Sequence, residues 1–111
     1  MPNNNKDNTM NIIRIAYLIG TTPEEICSDI MTESNQMWRS VGYCGDELRV
    51  GPGMLKVLRD AKQFFNQFDE AKDGVIGMAN GVIRVYLDDS MDDNTCIISY
   101  KDTGIKLIRR T

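Results

Sequence analysis

VIGMANGVIRVYLDDSMDDNTCIISY, residues 75–100, decides the fold of this chain, because it is the longest run whose chemistry specifies one local structure. Asn80-Gly81 sits between two apolar runs, and Asn followed by Gly accepts the positive φ that a two-residue hairpin turn requires. The spacing predicts strands over 75–79 and 82–87. On the second, Ile83, Val85 and Leu87 alternate with Val82, Arg84, Tyr86 and Asp88, and the first three are expected to face the core. The acidic DDSMDDN turns the chain, and 95–100, carrying Cys96, Ile97 and Ile98, reads as a further strand. The stretch as a whole reads as a β-meander.

Working outward, residues 11–19, NIIRIAYLI, are rich in β-branched side chains and apolar on both rows, as expected of a strand covered by a partner. Gly20-Thr21 ends it. Thr22 is placed as an N-cap, Pro23 at the first helical position and Glu25 where a capping box needs it, so a helix starts here. Its core face is expected to hold Ile26, Ile30, Ser34, Met37 and Trp38, widened by Cys27 and Met31, and it should stop at 39–41, before Gly42. Residues 47–50 form a short strand. After Gly51-Pro52-Gly53, the spacing of Met54, Leu58, Ala61, Phe65 and Phe68, flanked by Leu55 and Phe64, predicts a second helix over 53–68. Residues 69–74 link it to the meander, 102–104 turn, and 105–108 make a last strand. The fold class is α+β: two amphipathic helices packed on a mostly antiparallel sheet with a C-terminal β-meander. Residues 1–10, rich in Asn with Pro, Lys and Asp, read as a flexible N-terminal arm, and 11–111 as a single domain.

With 111 residues, 41% of them hydrophobic and 26% charged, the chain has the composition of one globular domain with a single core. A net charge of −3 argues against general affinity for nucleic-acid backbone, and Lys106, Arg109 and Arg110 read as solvated cations. Three cysteines, Cys27, Cys44 and Cys96, fit neither a disulfide framework nor a zinc site and point to a reducing compartment. The start lacks the apolar stretch of a signal peptide, and no apolar run is long enough to cross a membrane. There is no histidine, so Cys-His and Ser-His-Asp arrangements are excluded. Asp88, Asp89, Asp92 and Asp93 cluster in one turn but lack the Gly and closing Glu of a calcium loop. The Gly51-Pro52-Gly53 turn is neither GxGxxG nor a Walker loop, and Pro52 has no N–H to give a phosphate. Tyr86 and Tyr100 are expected to flank one sheet face as packing residues. The expectation is a non-enzymatic protein with no catalytic, cofactor-binding or metal-binding residues.

Three segments in order resemble the tailed-bacteriophage major capsid protein, T-even-like branch, in its axial-domain region. A helix over 24–39 is followed by the turn and strand VGYCGDELRV, residues 41–50, and a helix over 53–68. A hairpin follows in GMANGVIRVYLD, residues 77–88, similar to the family's glycine, turn and strand reading basic-Val-aromatic-x-Asp. Ser99-Tyr100-Lys101 matches the family's Gly-Tyr-Lys except at Ser99. The resemblance spans 24–108. It implies a shell or virion-associated structural protein that assembles with its own copies or with capsid subunits, in the virion or cytoplasm of an infected bacterial host. The departure is size: the family's spine helix, extended loop and most of its peripheral domain have no counterpart here. A split subunit, a small virion protein reusing the axial domain, or a mimic binding capsid subunits would each fit. The alternative is a small cytosolic protein-binding or regulatory domain. In either case the expected partner is a protein, not a specific nucleic acid or a membrane. The candidate interface is Asn11, Ile12, Ile13, Ile15, Tyr17 and Ile19, on a mostly apolar strand at the start of the domain that another chain would cover.

Overall fold

The capping signals at 22–25 are realised as read, and Asn80-Gly81 turns the chain at positive φ, although Ala79 pairs with Ile83, so that exposed Val82 belongs to the turn and the loop has three residues rather than two. The computed structural model describes residues 10–110. Along the chain these form β1 (Asn11–Leu18), α1 (Pro23–Val41), β2 (Glu47–Val50), α2 (Pro52–Asp60), β3 (Phe65–Lys72), β4 (Val75–Ala79), β5 (Ile83–Leu87), β6 (Thr95–Tyr100) and β7 (Thr103–Arg109). The expected arm, residues 1–10, lies outside the described residues apart from Met10.

The seven strands form one sheet in the order β1-β7-β6-β2-β5-β4-β3. The pairs β1/β7 and β2/β5 are parallel and the other four antiparallel. Both helices lie on one face, which makes an α+β fold of two layers. The central rows interdigitate beneath them: Leu48 pairs with Ile98 and Val85, Val50 with Cys96, and Ile98 with Ile105. These side chains meet Ile26, Ile30 and Met37 of α1 and Met54 and Leu58 of α2 in one core. The other face of the sheet carries Lys106, Arg49 and Tyr86 in register with these rows and is mixed in polarity.

α1 begins with the full capping box. The Glu25 N–H donates to Thr22 Oγ1 at 3.1 Å, and Glu25 Oε1 accepts from the Thr22 N–H at 3.2 Å. Such a cap stabilises a helix by about 1 kcal/mol. Gly42, at φ 83°, ends it in the left-handed region by donating to Trp38 O. Ser34, on the predicted core face, is buried because its Oγ accepts the Gly45 N–H at 3.0 Å and so fastens the loop leading to β2. Trp38 departs from the expectation. It is 61% exposed, since it lies beside Met37 on the edge of the helix rather than on the buried stripe.

Four further differences have physical causes. First, the run from β4 to β6 is not contiguous in space, because β2 lies between β5 and β6. The seven-residue turn of residues 88–94 is long enough to arch past the end of β2, and the Asp88 N–H donating to Val50 O and the Gly51 N–H donating to Thr95 O hold β2 between its neighbours. Second, the second helix stops at Asp60 instead of running to 68. The Ala61 N–H is shared between Leu58 and Val57 carbonyls, and Ala61 O then accepts from both Phe64 and Phe65, which reverses the chain. Phe65 is free to pair with Ala79, its ring set against Gly77, where a Cβ would lie 2.7 Å from the ring. The spacing of Met54, Leu58, Ala61 and Phe65 fits a helical face, yet only Met54 and Leu58 lie in the helix, with Ala61 buried at its C-cap. Third, Leu87 is 38% exposed, because β5 reaches the sheet margin there, while Ile83 and Val85 are core. Fourth, Tyr86 and Tyr100 sit on opposite faces: Tyr86 neighbours core-facing Val85, whereas Tyr100 follows Ile98 on the helix side and packs against the core.

Candidate interaction surface

β1 ends the sheet. Among the described residues it pairs with β7 alone, in parallel, with a bulge between Ile12 and Arg14. The bulge decides which row faces which layer. Beyond it, Ala16 and Leu18 point under α1 and are buried, and Arg14 on the same row makes an ion pair with Glu33 of α1. Ile15 and Tyr17 point to the helix-free face, 57% and 53% exposed, in register with Lys106 and Ile108. The Arg110 guanidinium lies 5.0 Å from the centre of the Tyr17 ring, a cation–π contact that holds the ring in place.

The exit of β1 is pinned rather than loose. Asp29 Oδ2 accepts from the Ile19 N–H at 3.0 Å and from the Gly20 N–H at 2.8 Å. Glu25 Oε1 accepts from the Thr21 N–H and hydroxyl and from the Thr22 N–H. The Thr21 N–H, the Thr21 hydroxyl and the Thr22 N–H stabilise its charged form and hold the Glu25 carboxyl below the usual range. Ile19 itself is 75% exposed just beyond the strand.

The structure therefore brings the candidate residues together on one edge, but not on one face. Asn11 is exposed, and its N–H is used by Asp102 O. Ile12 is half-buried on the helix-free face, beside Met91, Ile97 and Lys106. Ile13, 38% exposed, is turned by the bulge to the helix side, near Gln36, Ser40 and Val41. The open apolar row is thus Ile15 and Tyr17, extended by Ile19. Arg110, read from the sequence as a solvated cation, belongs to this surface. Nothing local in the sequence could show it, because β7 meets β1 only in the folded sheet.

Away from β1, Arg84 forms ion pairs with Asp46 at 3.5 Å and Glu47 at 3.2 Å, and among the described residues Asp46 Oδ1 and Arg84 Nε are buried without a hydrogen-bond partner. Burial, followed by the Glu24 charge, pushes the Cys27 thiol up to about 12, and burial raises Cys96 further, so both are inert at neutral pH. Cys44 is exposed. In the acidic turn, Asp88 Oδ1 accepts from the Ser90 hydroxyl at 2.6 Å and the Ser90 N–H at 3.0 Å, which lowers its pKa. Among the described residues no three acidic or cysteine side chains converge to hold a metal ion. At Gly51-Pro52-Gly53 the carbonyls of Asp92 and Asp93 crowd the two glycines, so this turn presents acceptors where a phosphate would need donors. Tyr43 and Tyr100 stack at 4.4 Å between ring centres, an arrangement of residues far apart in sequence that no pattern signalled. Among the described residues no helix is long and apolar enough to cross a membrane. No protein-family model, no curated protein and no solved structure matches this chain.

Proposed function

We propose that this chain is a non-enzymatic structural protein that works by associating with other protein subunits, its own copies first, through the edge formed by β1. The observation that carries the reading is the exposed row of Ile15, Tyr17 and Ile19 on a strand whose outer edge no described residue covers. Sheet edges in chains that act alone carry charges, prolines or irregular backbone against such contact. The only charge within β1 is Arg14, which Glu33 neutralises, and the one irregularity, the bulge between Ile12 and Arg14, lies before the exposed row. Shell or virion assembly is the form of association that the resemblance of residues 24–108 to the axial region of tailed-phage capsid proteins implies, and that narrower assignment rests on the resemblance.

A second reading, a small regulatory domain that binds a different protein, is favoured by a cleft of about 570 Å³ on the helix side, floored by Cys27, Met31 and Phe64. Light scattering over a concentration series separates the two. Association that grows with concentration and is lost in Ile15→Lys/Tyr17→Lys supports the first. A monomer at every concentration, identical in the wild type and the variant, overturns it in favour of the second.

A further inference from the structure

The hydrogen-bonding groups along β1 say more than its side chains do. The Arg110 N–H donates to Leu18 O, so the Leu18 carbonyl points at β7. Backbone groups alternate sides along a strand, so beyond the bulge the N–H and C=O of Ala16 also face β7, and those of Ile15 and Tyr17 face outward. The open edge thus offers two donors and two acceptors, on two residues separated by Ala16.

We infer that β1 pairs antiparallel with β1 of a second copy about a two-fold axis through Ala16, joining two seven-stranded sheets into one. This deepens the reading of β1 as an association surface and rests on it. With the axis at Ala16, Ile15 of each copy faces Tyr17 of the other as a hydrogen-bonded pair, and the four bonds formed use each outward group once. A two-fold axis requires self-complementarity of this kind. The same register lays Ile15 against the Tyr17 ring twice on the helix-free face, an aliphatic–aromatic cross-strand pair. Ala16 then meets its symmetry mate at the closer, non-hydrogen-bonded spacing, where a small side chain beneath α1 is what fits.

Neighbouring registers use the edge less well. An axis at Ile15 sets Tyr17 against Ile13, which the bulge has taken out of line. An axis at Tyr17 sets Ile15 against Ile19, whose N–H is already held by Asp29. Within β1 itself no unpaired charge opposes the Ala16 register, because Arg14 is bound to Glu33 within its own copy, and the neighbouring Arg110 lies over the Tyr17 ring.

Chains carrying one introduced cysteine read the register directly, with exposed Cys44 changed to serine and the native Cys27 and Cys96 kept because they are buried. Circular dichroism first establishes that each variant is folded. Under mild oxidation Ala16→Cys is expected to give about tenfold more disulfide dimer than Ile15→Cys or Tyr17→Cys, since each of these residues is offset by two positions from its own symmetry mate and so lies beyond disulfide reach. Mixing Ile15→Cys chains with Tyr17→Cys chains should give the crossed dimer, which keeps the register readable if Ala16→Cys does not fold. Dominant dimer from Ile15→Cys alone, or from Tyr17→Cys alone, overturns the register. Association in light scattering without any of these cross-links overturns strand pairing while leaving the proposed function standing. A monomer at every concentration overturns both.

Discussion

The two ends of the sheet are built on opposite plans. β1 is apolar along its exposed row, and its one charge is neutralised by α1. β3, at the far end, reads FNQFDEAK; its outer positions are Asn66, Gln67, Asp69 and Glu70, all exposed, and its pairing with β4 loses register between Gln67 and Lys72. Charged side chains and broken register are what keep an edge from recruiting another strand. The contrast teaches that the edge at β3 is made to face water, and that the exposure of β1 is not a general looseness of the sheet. β1 is held from behind by core residues and at its exit by Asp29 and Glu25, so it offers a rigid edge.

The sharpest way to break the comparison is to separate the two rows of β1. Leu18→Ala removes a fully buried side chain and should cost about 3 kcal/mol, read as a lowered denaturation midpoint. Tyr17→Ala, one residue away, should leave the midpoint within about 0.5 kcal/mol and act on association instead. If both shift the melt equally, the rows are not divided as described.

Gly81→Val tests the hairpin that supports the β3 end. Asn80 and Gly81 both have positive φ, at 51° and 75°. Nothing lies within 4 Å of a Cβ built on Gly81, so the whole cost is backbone conformation, about 2 kcal/mol for a β-branched residue. Asn80→Ala should cost less. Coincident thermal melts of Gly81→Val and the wild type would show that the turn is not the left-handed one.

A smaller effect on stability but a gain in association should follow from disarming β3. In chains whose β1 is blocked by Ile15→Lys/Tyr17→Lys, the change Asp69→Val/Glu70→Val should alter the melt by under about 0.5 kcal/mol and restore association in light scattering. A variant that stays monomeric would assign the defence of β3 to its broken register rather than to its charges.

The least effect is expected from Glu25. Its pKa is lowered in the fold, so its contribution is complete above the ordinary carboxylate range and is lost as pH falls through the lowered value. Glu25→Gln should therefore flatten the acid side of the stability–pH curve and leave the neutral side parallel to the wild type. An unchanged acid limb in equilibrium unfolding would remove Glu25 as an anchor of the β1 exit.

What the amino-acid sequence determined by itself is whatever depends on neighbours along the chain. Thr22, Pro23 and Glu25 specify a helix start, Gly42 its end and Asn80-Gly81 a hairpin, since each acts on backbone groups within a few residues. Asp73-Gly74, both at positive φ between β3 and β4, carried the same kind of signal and identifies β3 as a hairpin partner of β4. The helical spacing from Met54 to Phe65 masked it. Other features were left to the tertiary structure. The alternation in β2, β5 and β6 says which side chains share a face but not which strand lies beside which, and β2 entered between the other two. In β1 both rows are apolar, so the sequence could name Ile12, Ile13, Ile15, Tyr17 and Ile19 as candidates without dividing them. Only the bulge and the docking of α1 turned Ala16 and Leu18 inward and left Ile15 and Tyr17 outward. A strand's hydrophobicity is local, whereas the direction it faces is set by what covers it.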